Sequence, residues 1–277
     1  SQQILHKLKP NITSTIEKFM SIPLENMWQF APQYDLIQMT HEQKFSKMFI
    51  TWYGIEIIMS SRIPRIGIGG PVGCGKSMLI EKVVPLLAKK NYRVCIISND
   101  VISKEDADRM RKNLSTDQGL LPENLVIGLA TGGCPHTAVR EDPSINLSVI
   151  EEIESKHDDL DLIIIESGGD NITTTFSPAL ADYFIYIVDV SGGDKYPRKR
   201  GLGIETSDLL VINKIDLASM VDANLDVMER DAKIVRKNKP HVLVNCKTNQ
   251  GIDQVTEHII HDVFFDQPPK TITASVK

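Results

Sequence analysis

The eight residues Gly70-Pro71-Val72-Gly73-Cys74-Gly75-Lys76-Ser77 constrain this 277-residue chain more than any other feature. They spell G-x-x-x-x-G-K-[ST], follow the short apolar run Ile63–Gly69 and open a helical stretch from Lys76 to about Lys90. Strand, glycine-rich turn and helix in that order form the context in which such a loop cradles phosphate. The glycines let backbone N–H groups turn inward around the oxygens, and the helix N-terminus adds partial positive charge. Lys76 is expected at the β- and γ-phosphates and the Ser77 hydroxyl on Mg²⁺.

The rest of the chain from Arg62 agrees with that context. Strand-like runs at Arg93–Ser98, Leu125–Leu129, Leu162–Ile165, Phe184–Val190, Leu209–Ile212 and Val242–Val244 alternate with helical stretches. The helical stretches lie around Lys104–Lys112, Ser144–Lys156, Leu225–Lys237 and Ile252–Phe264. Such alternation predicts βαβ units: an α/β fold of the P-loop NTPase kind, with a doubly wound, mainly parallel sheet and helices on both faces. A net charge of 31 − 36 = −5 argues against holding nucleic acid by bulk charge. No apolar run reaches the roughly 18 residues that cross a bilayer. The N-terminus, Ser1-Gln2-Gln3-Ile4, carries no secretion signal and reads as a chain beginning mid-protein. Four widely spaced cysteines without a CxxC pair predict a reduced, cytoplasmic setting with no disulfides.

A second nucleotide motif, Asn213-Lys214-Ile215-Asp216, closes the strand Leu209–Ile212, 213 − 76 = 137 residues after Lys76. N-K-x-D at a strand end sets a carboxylate where it can accept from guanine N1–H and the exocyclic amine, a donor pair that adenine lacks. The expected ligand is therefore GTP. Metal-holding acids are sought near the phosphates. Asp100 follows the second strand, and Glu105 stands either as a helix-cap residue or as a magnesium contact. Glu166, ending the strand Leu162–Ile165, faces the crevice where open α/β sheets bind ligands. Lys76, Asp100 and Glu166 are the expected catalytic groups; Ser77, Asp100 and Glu105 are the expected magnesium contacts. No general base is evident, so hydrolysis would rest on positioning and electrostatics.

Thr131-Gly132-Gly133-Cys134-Pro135-His136 holds a thiol and an imidazole two residues apart on a loop. Two ligands are too few for a closed soft-metal site. A symmetric dimer would double them, whereas spacing alone favours an ordinary loop Cys and His. Cys74 is expected to pack rather than react, and the other histidines receive no metal.

These residues together carry a resemblance. Residues 62–260 closely resemble the UreG family of GTP-dependent urease accessory proteins. The matching stretches include Ile63-Pro64-Arg65-Ile66-Gly67-Ile68-Gly69-Gly70-Pro71-Val72-Gly73, Asn99-Asp100 and Lys104-Glu105-Asp106. They continue with Gly132-Gly133-Cys134-Pro135-His136-Thr137-Ala138, Glu166-Ser167-Gly168-Gly169-Asp170-Asn171, Gly192-Gly193-Asp194-Lys195 and Asp208-Leu209-Leu210-Val211-Ile212-Asn213-Lys214. The resemblance implies a dimerising P-loop GTPase with Cys134 and His136 of two protomers forming a nickel site. It implies release of Ni²⁺ to apo-urease on GTP hydrolysis, slow turnover alone, and partners of the UreF, UreD/UreH and UreE types. Asp100 and Glu105 match family positions near Mg²⁺ and the switch region. The chain departs from the family at Arg200 and Leu202, where Gly and Pro are usual, and at Ser77, where Thr is frequent. A histidine-rich N-terminal nickel store is absent.

Residues 1–51 resemble something else. Trp28-Gln29-Phe30-Ala31-Pro32-Gln33-Tyr34-Asp35-Leu36 and Met39–Phe49 look like the C-terminal end of UreF, ending near Lys47-Met48-Phe49. The expected organisation is a helical UreF-tail-like segment and linker over 1–58, a GTPase domain over 59–267, and a disordered tail over 268–277. The leader is either a fusion that raises effective concentration or read-through of adjacent genes, with Thr51 an old terminus, Trp52–Ile58 intergenic and Met59 the true start. Two other functions compete: a nickel-hydrogenase-type maturation GTPase, whose N-terminal Cys motifs are missing here, and a metal-binding scaffold with little turnover.

Overall fold

The computed structural model describes residues 49–52, 55–58, 62–100, 105–131, 137–169 and 175–270. The chain divides into two units, Ser1–Lys44 and Phe45–Lys277. The first lies outside the described residues, as do Cys134, His136 and the tail from residue 271.

A hairpin of β1 (Phe49–Trp52) and β2 (Ile55–Ile58) pairs antiparallel, with Thr51 opposite Glu56. The backbone therefore runs as strand at Trp52 and over Ile55–Ile58, within the segment expected as linker. Three β-branched residues, Ile55, Ile57 and Ile58, suit a strand.

The main sheet has seven strands, all parallel: β3 (Arg65–Gly69), β4 (Val94–Asp100), β5 (Val126–Ala130), β6 (Leu162–Glu166), β7 (Tyr183–Asp189), β8 (Leu209–Asn213) and β9 (His241–Leu243). Their order is β5-β4-β6-β3-β7-β8-β9. The chain builds one half of the sheet through β6 and then crosses β3 to build the other. The loop after β3 consequently opens at the point where strand order reverses, where ligands enter open α/β sheets.

Among the described residues six α-helices accompany the sheet: α1 (Lys76–Lys89), α2 (Glu105–Arg111), α3 (Ser144–Lys156), the short α4 (Leu202–Thr206), α5 (Leu225–Val235) and α6 (Ile252–Asp262). Period-2 alternation splits the core between the two faces. Ile66, Ile68, Val94, Ile96, Leu162 and Ile164 pack with Leu79, Ile80, Val83 and Leu87 of α1 and Val255 and Ile259 of α6. Cys95, Ile97, Ile163, Ile165, Leu210 and Ile212 pack with Ile150 and Ile153 of α3 and Met228 and Ala232 of α5. Both faces of β3, β6 and β8 are buried from end to end, which is why these strands read as continuous apolar runs.

The packed body extends past the expected start of the tail. Pro269 is buried, the Lys270 backbone N–H donates to Asp161 Oδ1 at 2.8 Å, and its Nζ donates to the Leu160 carbonyl at 2.7 Å. Pro269 and Lys270 are thus held beside the N-terminal end of β6, because Leu160 and Asp161 offer acceptors just ahead of that strand.

Candidate functional site

The loop between β3 and α1 turns on glycines that side chains could not replace. Gly70 has φ +153, and a Cβ there would lie 2.3 Å from the Ile187 carbonyl oxygen of β7. Gly75 has φ +103 and caps α1; a Cβ there would lie 2.3 Å from Asn213 Nδ2. The second contact joins the two nucleotide motifs. Asn213 Nδ2 donates to the Cys74 carbonyl at 2.8 Å, while its Oδ1 accepts from the backbone of Lys214 at 2.7 Å and of Cys246 at 3.2 Å. The asparagine of N-K-x-D therefore braces the phosphate loop. Asp216, one residue beyond Ile215, is exposed and open to a base. Lys214 Nζ donates to Asp189 Oδ2 at 2.6 Å, and that bond helps hold the Asp189 carboxyl below its ordinary range although burial opposes it.

Lys76 is buried, and its ammonium donates to the carbonyls of Gly70 at 3.0 Å and Pro71 at 3.1 Å. Next to it, the Ser77 hydroxyl donates to Glu166 Oε1 at 2.6 Å. Leu162 and Ile164 face α1, so Glu166, two residues further along β6, comes to the same face. Ser98, its register partner on β4, donates to Oε2 at 2.7 Å. Burial pushes the Glu166 carboxyl up, while the two hydroxyls and the Lys76 charge pull it back. Asp100 lies two residues beyond Ser98 along β4, and Glu105 opens α2 and is exposed. A serine hydroxyl against a carboxylate beside the phosphate loop is an all-oxygen donor set, the kind Mg²⁺ takes. Cys74 is 1% exposed, with its thiol pushed up to about 11 by burial, so it packs, as expected.

Comparison with known proteins decides the family. The CobW/HypB/UreG nucleotide-binding domain matches residues 64–243. The urease accessory protein UreG of Cenarchaeum symbiosum is 70% identical over 208 residues, covering 75% of this chain and 97% of that protein. The chain belongs to the UreG family. UreG of Yersinia pestis is 54% identical over 204 residues, 74% of this chain and 91% of that protein. The fold is shared with HypB from Archaeoglobus fulgidus, a hydrogenase maturation factor, at 25% identity and a TM-score of 0.55, covering 71% of this chain and 88% of that one. It is also shared with HypB from Helicobacter pylori, solved in complex with nickel, at 18% identity and 0.61, covering 76% and 91%. These are P-loop neighbours, and the parallel α/β architecture expected for this UreG-family chain holds.

Besides the two serine bonds to Glu166, two further pairings are not evident in the sequence. Lys214 with Asp189 is one; the other is a buried amide pair, Asn99 with Asn146. Asn146 falls at i, i+4, i+7 spacing with Ile150 and Ile153 on the buried stripe of α3, and a polar residue inside such a stripe was the available signal. No metal-ligating group of three or more His, Cys, Asp or Glu occurs among the described residues. No described helix is long and apolar enough to cross a membrane.

Proposed function

We propose that this UreG-family chain is a GTP-hydrolysing nickel metallochaperone that supports nickel insertion into urease. The observation that carries the reading is the bond from Asn213 to the Cys74 carbonyl, which joins the base-reading motif to the phosphate loop as one site. The 70% identity to a urease accessory protein supports urease as the recipient. Residues 59–267 are the GTPase domain in this reading, and it works in the cytoplasm as a homodimer with accessory proteins of the UreF, UreD/UreH and UreE types and apo-urease.

Within that function, the loop 70–77 wraps the phosphates, and the Lys76 ammonium exchanges its two carbonyl partners for phosphate oxygens. Asn213, Lys214 and Asp216 hold the guanine. Ser77, Asp100, Glu105 and Glu166 are the oxygen donors that would hold Mg²⁺, which when bound neutralises charge on the transferring phosphoryl group. Glu166 already grips Ser77 and Ser98, so its carboxylate needs little rearrangement. Ni²⁺ is cargo, taken by Cys134 and His136 of two protomers, a soft-and-borderline donor set suited to it.

A titration of Ni²⁺ in the presence of GTP and Mg²⁺, followed by light scattering, tests the reading. The expected outcome is a dimer taking up one nickel per two chains. Cys134→Ala should abolish this nickel-linked dimer while GTP binding survives; unchanged nickel stoichiometry in that variant would refute the metal assignment.

A further inference from the structure

β7 and β8 end side by side, with Asp189 in register with Asn213. Just beyond these ends, Lys214 Nζ meets Asp189 Oδ2 at 2.6 Å. The other carboxylate oxygen is already taken. Oδ1 accepts from the Ser191 backbone N–H at 3.0 Å and from the Ser191 hydroxyl, capping the 3₁₀ turn Val190–Gly192. Ser191 therefore fixes the carboxylate, and Oδ2 is left for the lysine. Lys214 itself sits at φ +60, a left-handed backbone that suits Gly or Asn better than lysine.

Stability gives little reason for this arrangement. The Lys214 side chain is 33% exposed, and ion pairs so open to water add little to a fold. A left-handed lysine kept without a stability return asks for another reason. That reason stands two residues on. Asp216 is exposed, and a flexible four-carbon stem can swing its ammonium onto a neighbouring carboxylate. There the ammonium would occupy the oxygens that guanine N1–H and the exocyclic amine need, and would offset the charge that draws them. Asp189, 11% exposed and fixed by Ser191, takes the ammonium instead.

We propose that Asp189 is a positioning residue for base recognition: it holds the Lys214 ammonium away from Asp216 and keeps that carboxylate free for guanine. The inference rests on the reading of Asn213-Lys214-Ile215-Asp216 as the guanine site. The Lys214 stem stays beside the base while its charge is matched at Asp189. Selectivity for guanine then depends on a residue at the end of β7, outside the N-K-x-D motif, whereas phosphate binding does not.

The test uses the full chain in equilibrium competition against fluorescent GTP, with GTP, ITP and inorganic tripolyphosphate as competitors. Asp189→Asn keeps an oxygen to accept from Ser191 but loses the charge that holds Lys214. It should weaken GTP by about tenfold, a usual size for side chains coupled in one network, and leave tripolyphosphate unchanged. ITP lacks the exocyclic amine, so it should lose less than GTP, and the preference for GTP over ITP should narrow. Lys214→Met removes the cation and keeps an apolar stem; in that background Asp189→Asn should change nothing. If Asp189 only caps its turn, the loss persists beside Lys214→Met or falls equally on tripolyphosphate. Either result overturns the proposal, as does a GTP affinity that Asp189→Asn leaves untouched. If Asp189→Asn does not fold, Asp189→Ser, whose hydroxyl can still accept from Ser191, supplies the same comparison. A wild type that binds GTP no better than ATP instead overturns the guanine reading itself, and this inference with it.

Discussion

Gly75 carries two constraints at one atom: a left-handed φ of +103 and the Asn213 amide 2.3 Å from where a Cβ would stand. Gly75→Ala should therefore disturb both halves of the nucleotide site, lowering GTP affinity by about tenfold or more, near 1.4 kcal/mol; equilibrium titration with fluorescent GTP measures it. Glu166 makes a different statement. Burial raises its folded-state pKa above the ordinary value near 4.5, so the folded chain binds a proton that the unfolded chain releases across that window. Stability in the absence of nucleotide should then fall as pH climbs from the ordinary glutamate range through the folded pKa. Glu166→Gln should flatten the slope, as urea denaturation at several pH values would register. The same deprotonation readies the carboxylate for a divalent cation, so Mg²⁺ binding should strengthen in the direction in which the empty fold weakens.

Elements were legible wherever burial on both faces or a helical stripe left a strong pattern. The stretch expected at Ser144–Lys156 is α3 itself, and Lys76 to about Lys90 overshoots α1 by a single residue. Single polar residues inside apolar patterns were not legible, because their partners are distant in sequence. Arg236 is the clearest of these. It follows α5 at i+4 from Ala232 on the buried stripe, and its guanidinium donates to the carbonyls of Ile204, Ser207, Asp208 and Pro240 and to the Ser207 hydroxyl. It thereby fastens α4, the entry to β8 and the entry to β9. Arg236→Met removes those donors and leaves buried acceptors unmet, and should cost about 3 kcal/mol, read as a lower denaturation midpoint at unchanged m-value. The phosphate loop and N-K-x-D could be read from sequence because each packs its chemistry into a few adjacent residues. The Asn99–Asn146 pair spans 47 residues and forms no such word.

For the molecule as a whole, the family match over residues 64–243 and the seven-stranded sheet fall in the second unit, Phe45–Lys277. A chain starting at Met59 should accordingly keep the melting temperature and GTP affinity of the full chain within error; a large loss of either would give the preceding residues a part in the nucleotide-binding unit. Intact-mass measurement of the native protein reports whether such a chain occurs.

The bond from Asn213 to the Cys74 carbonyl also fixes a length. With the base-reading loop bolted to the phosphate loop, the span between them cannot stretch or shrink to suit a visitor. On the proposed reading of the two loops, the protein then works as a ruler. Guanosine alone, or pyrophosphate alone, grips one end and forfeits the other, so their separate affinities should multiply to far less than that of GTP, a discrimination set by reach rather than by any single contact.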